Sequence, residues 1–401
     1  MPDDAGPDDA DSPPAEVLDT GAGRGRSPGH RRLVLVVVLI TLLASGVLVL
    51  RDRDVPTSAP GPSPTALPPG SSTSGPDPSA SAPASPEPVV LRERGPVPAG
   101  LGGGTLFARS ADTVFRVDLD TGRATATSAP VGTGSPVSFV PGATGVLVRP
   151  VTDGPGLLVP DDGAARPLRG LLGAGAQVLP ATRGRVWVSE LRDGRSSSFA
   201  MTSFDGTPTG TSVRENGYFL ADGTGGLLLV DAGGLWERVE ARWRRLAIGT
   251  ALGTGTHQHL LATCDEIDTC GFVELVRYDR ARRTSEPVLG DTDLQLPGGG
   301  VLSADGRYLA SLGSEKPGDG PGRALVVDLD TARVVKQMVV RAPSLDVAGV
   351  AAWVPDSNRL VGVDDGQLFV LDPATGSTTR PDLGLPAGTE LLQVALRAGP
   401  S

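Results

Sequence analysis

Two cysteines, three histidines and 4% aromatic residues in 401 leave little material for catalytic or metal chemistry. Lysine is almost missing, its only copies being Lys316 and Lys336. A basic face is missing too. The net charge is −10, and neutralising phosphates needs the opposite balance, so general nucleic-acid binding is excluded. Between residues 97 and 398 the only histidines are His257 and His259, and no Ser/His/Asp order can be assembled from them. That region also has no G-x-S-x-G elbow, no H-E-x-x-H and no G-x-x-x-x-G-K-[ST]. The glycine runs Gly102–Gly104 and Gly298–Gly300 precede no helix, so they do not read as phosphate loops.

What is present in quantity is glycine (55) and proline (37), the punctuation of short strands, turns and linkers. Residues 1–32 are acidic and poor in large apolar side chains, with Asp3, Asp4, Asp8, Asp9, Asp11, Glu16 and Asp19 crowded together. Such a segment cannot bury enough surface to fold alone and reads as a disordered tail. Residues 33–50, LVLVVVLITLLASGVLVL, carry no charge. As a helix they span roughly 27 Å, enough for a bilayer's hydrocarbon core. No small-residue cleavage site follows closely, because the run ends in Arg51-Asp52-Arg53-Asp54. The segment therefore reads as an uncleaved anchor rather than a signal peptide. Arg24, Arg26, Arg31 and Arg32 precede it, against Arg51 and Arg53 after it. By the positive-inside rule the N-terminus is cytoplasmic and everything beyond residue 50 lies outside. Residues 51–96, rich in Pro, Ser and Ala, read as a disordered, partly polyproline spacer.

The rest of the chain repeats. VLSADGRYLASL from Val301 reads as strand, tight turn, strand, and related pieces begin at Ser138, Gln177, Tyr218, Thr250 and Ala352. A degenerate first copy begins at Pro96. Markers at the turn fall at 98, 141, 180, 221, 253, 304 and 355, spaced by 43, 39, 41, 32, 51 and 51 residues. A second strand–turn–strand piece, VFRVDLDTGRATA from Val114, returns at Ala324 and Leu368, with corner aspartates Asp118, Asp328 and Asp372. Four short strands per period of this length is the pattern of a propeller blade. Here the chain resembles the WD40-like and TolB-like β-propellers, in Ser303-Ala-Asp-Gly-Arg-Tyr-Leu-Ala310 followed by Leu325-Val-Val-Asp-Leu-Asp-Thr331. It departs from true WD40 repeats, since no Trp-Asp closes a unit and no Gly-His opens one. The resemblance implies an architecture and leaves the partner open. The expected fold is all-β, a seven-bladed propeller over residues 97–398. Six or eight blades fit as well, because the fourth unit is short and the fifth and sixth carry insertions. The strand after Thr389 is expected to complete the first unit and close the ring.

HQHLLATCDEIDTC, His257 to Cys270, concentrates both cysteines and two of the histidines. Two His and two Cys suit zinc, but a regular strand puts His257, His259 and Thr263 on one face and Cys264 on the other. Four ligands would not converge. Cys264 and Cys270 flank a hairpin loop at a separation a disulfide tolerates, and outside the cytoplasm that bond would persist. His257 and His259 remain as ligand-facing candidates beside the plainer reading of solvated residues near a loop. The paired acids Asp118/Asp120, Asp161/Asp162, Asp328/Asp330 and Asp364/Asp365 suggest calcium or glycoside chemistry, yet most recur at one blade corner, where Asp accepts turn hydrogen bonds. Glu237 to Arg245, ERVEARWRR, reads either as a basic contact patch or as charge that keeps an outer strand from pairing.

No catalytic, cofactor or metal residue is nominated. The expected function is a single-pass membrane protein, held in the bilayer through Leu33–Leu50, whose propeller binds an envelope protein, peptide or glycan. The competing reading is an extracytoplasmic hydrolase or lyase acting on polysaccharide through channel-facing carboxylates.

Overall fold

The computed structural model describes residues 86–399, except 134–135, 151–155, 171, 173–176, 183, 193–195, 265–271, 289–298, 314–321, 342–348 and 356. The acidic tail, the apolar run Leu33–Leu50 and spacer residues 51–85 lie outside the described residues. Among the described residues no helix is long and apolar enough to cross a membrane.

The architecture is an all-β propeller. Sheet A holds β1 (Val89–Arg92), β2 (Gly104–Arg109), β3 (Thr113–Asp118), β4 (Ala124–Ser128) and the last strand, β29 (Gln393–Ala398). Sheet B holds β5 (Val137–Gly142), β6 (Gly145–Pro150), β7 (Leu157–Pro160) and β8 (Arg166–Pro167). Sheet C holds β9 (Val178–Pro180), β10 (Arg185–Arg192), β11 (Ser196–Ser203) and β12 (Pro208–Glu215). Sheet D holds β13 (Tyr218–Ala221), β14 (Leu227–Asp231), β15 (Gly234–Val239) and β16 (Arg242–Ala247). Sheet E has eight strands: β17 (Gly249–Thr254), β18 (Gln258–Cys264), β19 (Phe272–Asp279), β20 (Thr284–Pro287), β21 (Gly300–Leu302), β22 (Tyr308–Gly313), β23 (Gly322–Asp328) and β24 (Arg333–Val340). Sheet F holds β25 (Ala351–Trp353), β26 (Leu360–Asp364), β27 (Gln367–Asp372) and β28 (Ser377–Thr379).

Five sheets stand as separate blades, where seven were expected. The segments read as the fifth and sixth blades are continuous in sheet E. Its two antiparallel halves are joined by parallel pairing of their first strands, Gly253 with Gly300 and Thr254 with Val301. Glycine makes that approach feasible: a Cβ on Gly253 would lie 2.7 Å from Leu309 Cδ1. The spacer is shorter than expected as well. Residues 89–92, placed in it by composition, pair as β1 with β4 on the outside of sheet A.

Because successive side chains on a strand point to opposite faces, inner blade strands contribute to two cores. In β2, Leu106 and Ala108 pack with Val361 and Val370 of sheet F, whereas Phe107 packs with Phe139 and Val148 of sheet B. In β14, Leu228 and Val230 pack against Leu261 and Val276 of sheet E, while Leu227 and Leu229 meet Trp187 and Phe199 of sheet C. Strands buried on both faces read as continuous apolar runs, as in Leu227–Val230.

The ring closes through β29. It pairs antiparallel with β2 from Gly104–Ala398 to Arg109–Gln393. Arg109 is fully buried, and among the described residues its hydrogen-bond acceptors are neutral: its Nε donates to Gln393 Oε1 at 2.7 Å and its Nη1 to the Gly132 carbonyl at 3.1 Å. Gln393 Nε2 in turn donates to the Val137 carbonyl of sheet B at 2.8 Å. Burial lowers the Arg109 guanidinium to about 10, which leaves it charged at neutral pH. Arg397 completes the seam, donating to the Gly142 carbonyl and forking Asp161 of sheet B with both contacts at 3.0 Å. Gln393→Leu strands a buried charged donor, a loss of about 1–3 kcal/mol. Urea unfolding should therefore show a clearly lower midpoint at unchanged slope; an unshifted midpoint would deny Gln393 its part in closure.

Candidate functional site

The β15–β16 hairpin is where charge and aromatic surface gather. A two-residue turn, Glu240-Ala241, joins the strands, with Glu240 in the left-handed region at φ 56°. Cross-strand pairs are Glu237 with Arg244, Trp236 with Arg245 and Arg238 with Trp243. Strand parity then sorts them. Glu237, Arg244, Leu235 and Leu246 face sheet E; Trp236, Arg238, Trp243 and Arg245 face sheet C.

On the first face the polar side chains are buried and paired. Arg280, just after β19, donates Nε to Glu237 Oε1 at 3.0 Å and Nη2 to Asp222 Oδ2 at 2.8 Å. Its Nη1 reaches the Asp222 carbonyl at 3.0 Å and Thr224 Oγ1 at 3.3 Å. Arg244 binds the other oxygen of Glu237 and lies 3.3 Å from the Tyr278 hydroxyl. Burial pushes the Asp222 carboxyl up, but hydrogen bonds from Thr224, the Arg280 charge and the Gly226 amide outweigh it, leaving Asp222 below the ordinary aspartate range. His259 stacks on Tyr278, the rings 6.3 Å apart and nearly parallel. It has no solvent exposure, and neither ring nitrogen has a hydrogen-bond partner among the described residues. Burial, and then the Arg280 charge, lower its pKa to about 4 against the opposing pull of Glu237 and Asp222. At neutral pH this is a buried ion network beside a neutral imidazole. Both carboxylates are taken by arginines, so neither is free to serve as a general acid or base.

The expected site residues scatter. His257 is exposed in the turn before β18, its carbonyl accepting the Arg280 amide at 3.0 Å. His259 shares its strand face with Leu261 and Thr263, as parity requires, but that face packs on sheet D instead of facing solvent. The Cys264 backbone ends β18 opposite Phe272. Its side chain and all of Cys270 lie outside the described residues, and so does the disulfide expected between them. Among the described residues no three His, Cys, Asp or Glu side chains meet as a metal site. The corner aspartates serve their own turns. Asp118 accepts the amides of Asp120 and Thr121, Asp279 those of Ala281 and Arg282, and Asp372 that of Ala374. The network's key residue, Arg280, escaped the sequence reading although a signal existed. After the corner aspartates Asp118 and Asp328 come Leu119 and Leu329, both buried; after Asp279 the repeat substitutes an arginine.

The second face packs on sheet C, with Trp236, Arg238 and Trp243 half-buried at its margin and Arg245 exposed. Three of the chain's four tryptophans meet here. Each indole N–H is already engaged: Trp187 with the Gly225 carbonyl at 3.0 Å, Trp236 with Asp231 at 2.8 Å and Trp243 with Glu215 at 2.9 Å. The guanidinium of Arg238 lies 6.0 Å from the Trp187 ring centre, and that of Arg245 lies 5.9 Å from Trp236. Arg242 and Arg245 are exposed, and Arg214 of β12 is exposed nearby in sequence to Glu215. An arginine resting on an indole keeps its N–H edge free for a carboxylate or phosphate and loses little freedom on binding.

No family model matches the chain, and no curated protein matches it. Solved structures of similar fold include TolB from Acinetobacter baumannii, at 12% identity over 72% of this chain and 81% of that one, TM-score 0.36. A functionally unknown protein from Desulfotomaculum acetoxidans matches at 12% identity over 73% and 98%, TM-score 0.41. The acylaminoacyl peptidase of Pyrococcus horikoshii matches at 9% identity over 67% and 47%, TM-score 0.42. These likenesses are distant and transfer no activity.

The buried imidazole makes stability depend on pH. Unfolded His259 takes its proton near the ordinary value of about 6.5, while in the folded chain it does so only at about 4. Between these values the unfolded state holds more protons, so stability is complete above the upper one and falls as pH drops toward the lower, by roughly 3 kcal/mol in all. Asp222, depressed in the fold, adds a loss in the same direction at lower pH. His259→Phe keeps the stack on Tyr278 and should flatten the profile between pH 6.5 and 4; equal slopes in the two proteins would refute the assignment.

Proposed function

We propose that this chain is a membrane-tethered binding module whose propeller stands outside the cytoplasm and recognises an anionic envelope component through the β15–β16 hairpin. The observation that carries the reading is the pairing of Arg238 and Arg245 with Trp187 and Trp236 on a half-open sheet face. The strand pair carries Arg238, Arg242, Arg244 and Arg245 in a chain of net charge −10. Its acid Glu237 is turned away, buried against Arg280. The opposite polarity of hairpin and chain is what favours an anionic partner. The tether reading draws on the uncharged run Leu33–Leu50 and the arginines before it.

The polysaccharide hydrolase reading loses ground on chemistry. The most buried carboxylates among the described residues, Asp222 and Glu237, are engaged by arginines, and the corner aspartates cap their turns. Topology is open to direct test. Protease added to intact spheroplasts should release the folded domain by cutting before β1; a domain protected until the membrane is broken would overturn the orientation.

A further inference from the structure

We propose that the free edge of β16 receives an extended acidic peptide of a partner protein, adding it as a further strand to sheet D. This rests on the hairpin being the anion-recognising surface and goes beyond it by naming the partner's chemistry.

β16 is the last strand of sheet D, so one row of its backbone amides and carbonyls is outside every ladder. Edge strands usually carry a charge or a proline that discourages pairing. The outer strands of the other sheets run from TSEP in β20, STT in β28, RP in β8 and PTGTSVRE in β12 to VVLR in β1 and RVVKQMVV in β24, which carries one arginine and one lysine. β16 is RWRRLA, with three arginines in six residues and an indole between them. Blocking an edge explains a charge there. It does not explain tryptophans that hold guanidinium groups in place.

Geometry favours a strand over a sugar. Each indole N–H is already bonded to the protein, and guanidinium groups lie over the Trp187 and Trp236 rings. No bare aromatic platform remains for a sugar ring on those two residues. What remains is open backbone flanked by an exposed cation on each face of the strand, Arg242 on one and Arg245 on the other. An incoming strand puts alternate side chains above and below the sheet. A peptide with carboxylates at successive positions therefore meets arginines on both faces, while its backbone completes the ladder. Forked arginine–carboxylate contacts supply the charge-assisted bonds.

The test uses the full-length protein in nanodiscs and a fluorescein-labelled dodecapeptide of four Glu-Glu-Thr repeats, which presents carboxylates on both faces of a strand, read by fluorescence anisotropy at low salt. The peptide should bind, and Arg238→Gln with Arg245→Gln should weaken it by about tenfold. Arg242→Gln alone should weaken it less, and Arg333→Gln, on the exposed outer strand β24, should leave it unchanged. Unaltered thermal unfolding shows that the variants are folded. The same peptide N-methylated at alternate residues keeps its charge and cannot join a ladder, so it should not bind. Equal binding of the methylated peptide, or of the double variant, would overturn strand addition. Binding of polyglucuronate, sensitive to Arg238 and Arg245, with no binding of the peptide would overturn the peptide assignment while leaving the anionic surface intact. Binding of neither probe would overturn both.

Discussion

Pairing of β29 with β2 is the constraint on which the other contacts depend. Each sheet buries both faces against neighbours, so a gap anywhere would expose the apolar sides of two sheets at once. Sheet A, built from the start of the domain, receives its innermost strand from the end, and Gln393 and Arg397 carry the bond onward to sheet B. The backbone ladder alone would close sheet A. The side chains are what tie the closure to the next blade. That coupling is made at a cost, because Arg109 is buried with only neutral oxygens as acceptors, and a guanidinium out of water is expensive without full hydrogen bonding.

A second device recurs between sheets, with its sign free to change. In the third strand of sheet A, Arg116 reaches Asp161 at the corner of sheet B, 3.5 Å away. In sheet D the equivalent residue is Glu237, and the partner at the corner of sheet E is Arg280, 2.9 Å away. Within sheet E, Arg277 of the first half meets Asp330 of the second at 2.9 Å. The three do not weigh alike. Asp330 is half exposed, so that pair contributes little, whereas Glu237 and Asp222 are almost wholly buried, and losing Arg280 would leave Asp222 without its cation and Glu237 with Arg244 alone. The same strand that makes this buried contact turns Trp236 and Arg238 to its other face, toward sheet C. Anchoring β15 from behind thus holds the proposed recognition surface rigid in front.

Much of the fold was legible because turns demand particular residues. Corner aspartates such as Asp118, Asp279 and Asp372 marked the third-to-fourth strand turns, and the run after Thr389 marked the closing strand. The misses share a physical cause. His259 was placed on a solvated face because parity tells which residues share a face, not what covers it; in a propeller both faces are covered. β1 hid in a Pro- and Ser-rich stretch because its order comes from pairing with β4 rather than from local propensity. Gly253 reads as a turn marker and Gly300 as part of a glycine run, yet the lack of side chains there lets two inner strands pair and merges two expected blades. The Trp–Arg face was visible as composition. Which residues stack needed the register of β15 on β16 and the position of Trp187 in a different sheet.

Native-state hydrogen exchange tests the closure account most directly. If β29 locks the ring, the amides of Gln393–Ala398 and Gly104–Arg109 should exchange as slowly as those of Leu227–Asp231 in sheet D, through one shared global opening. Rapid exchange of Gln393–Ala398, with sheet D still protected, would mean that the ring stands without its last strand and would contradict the account.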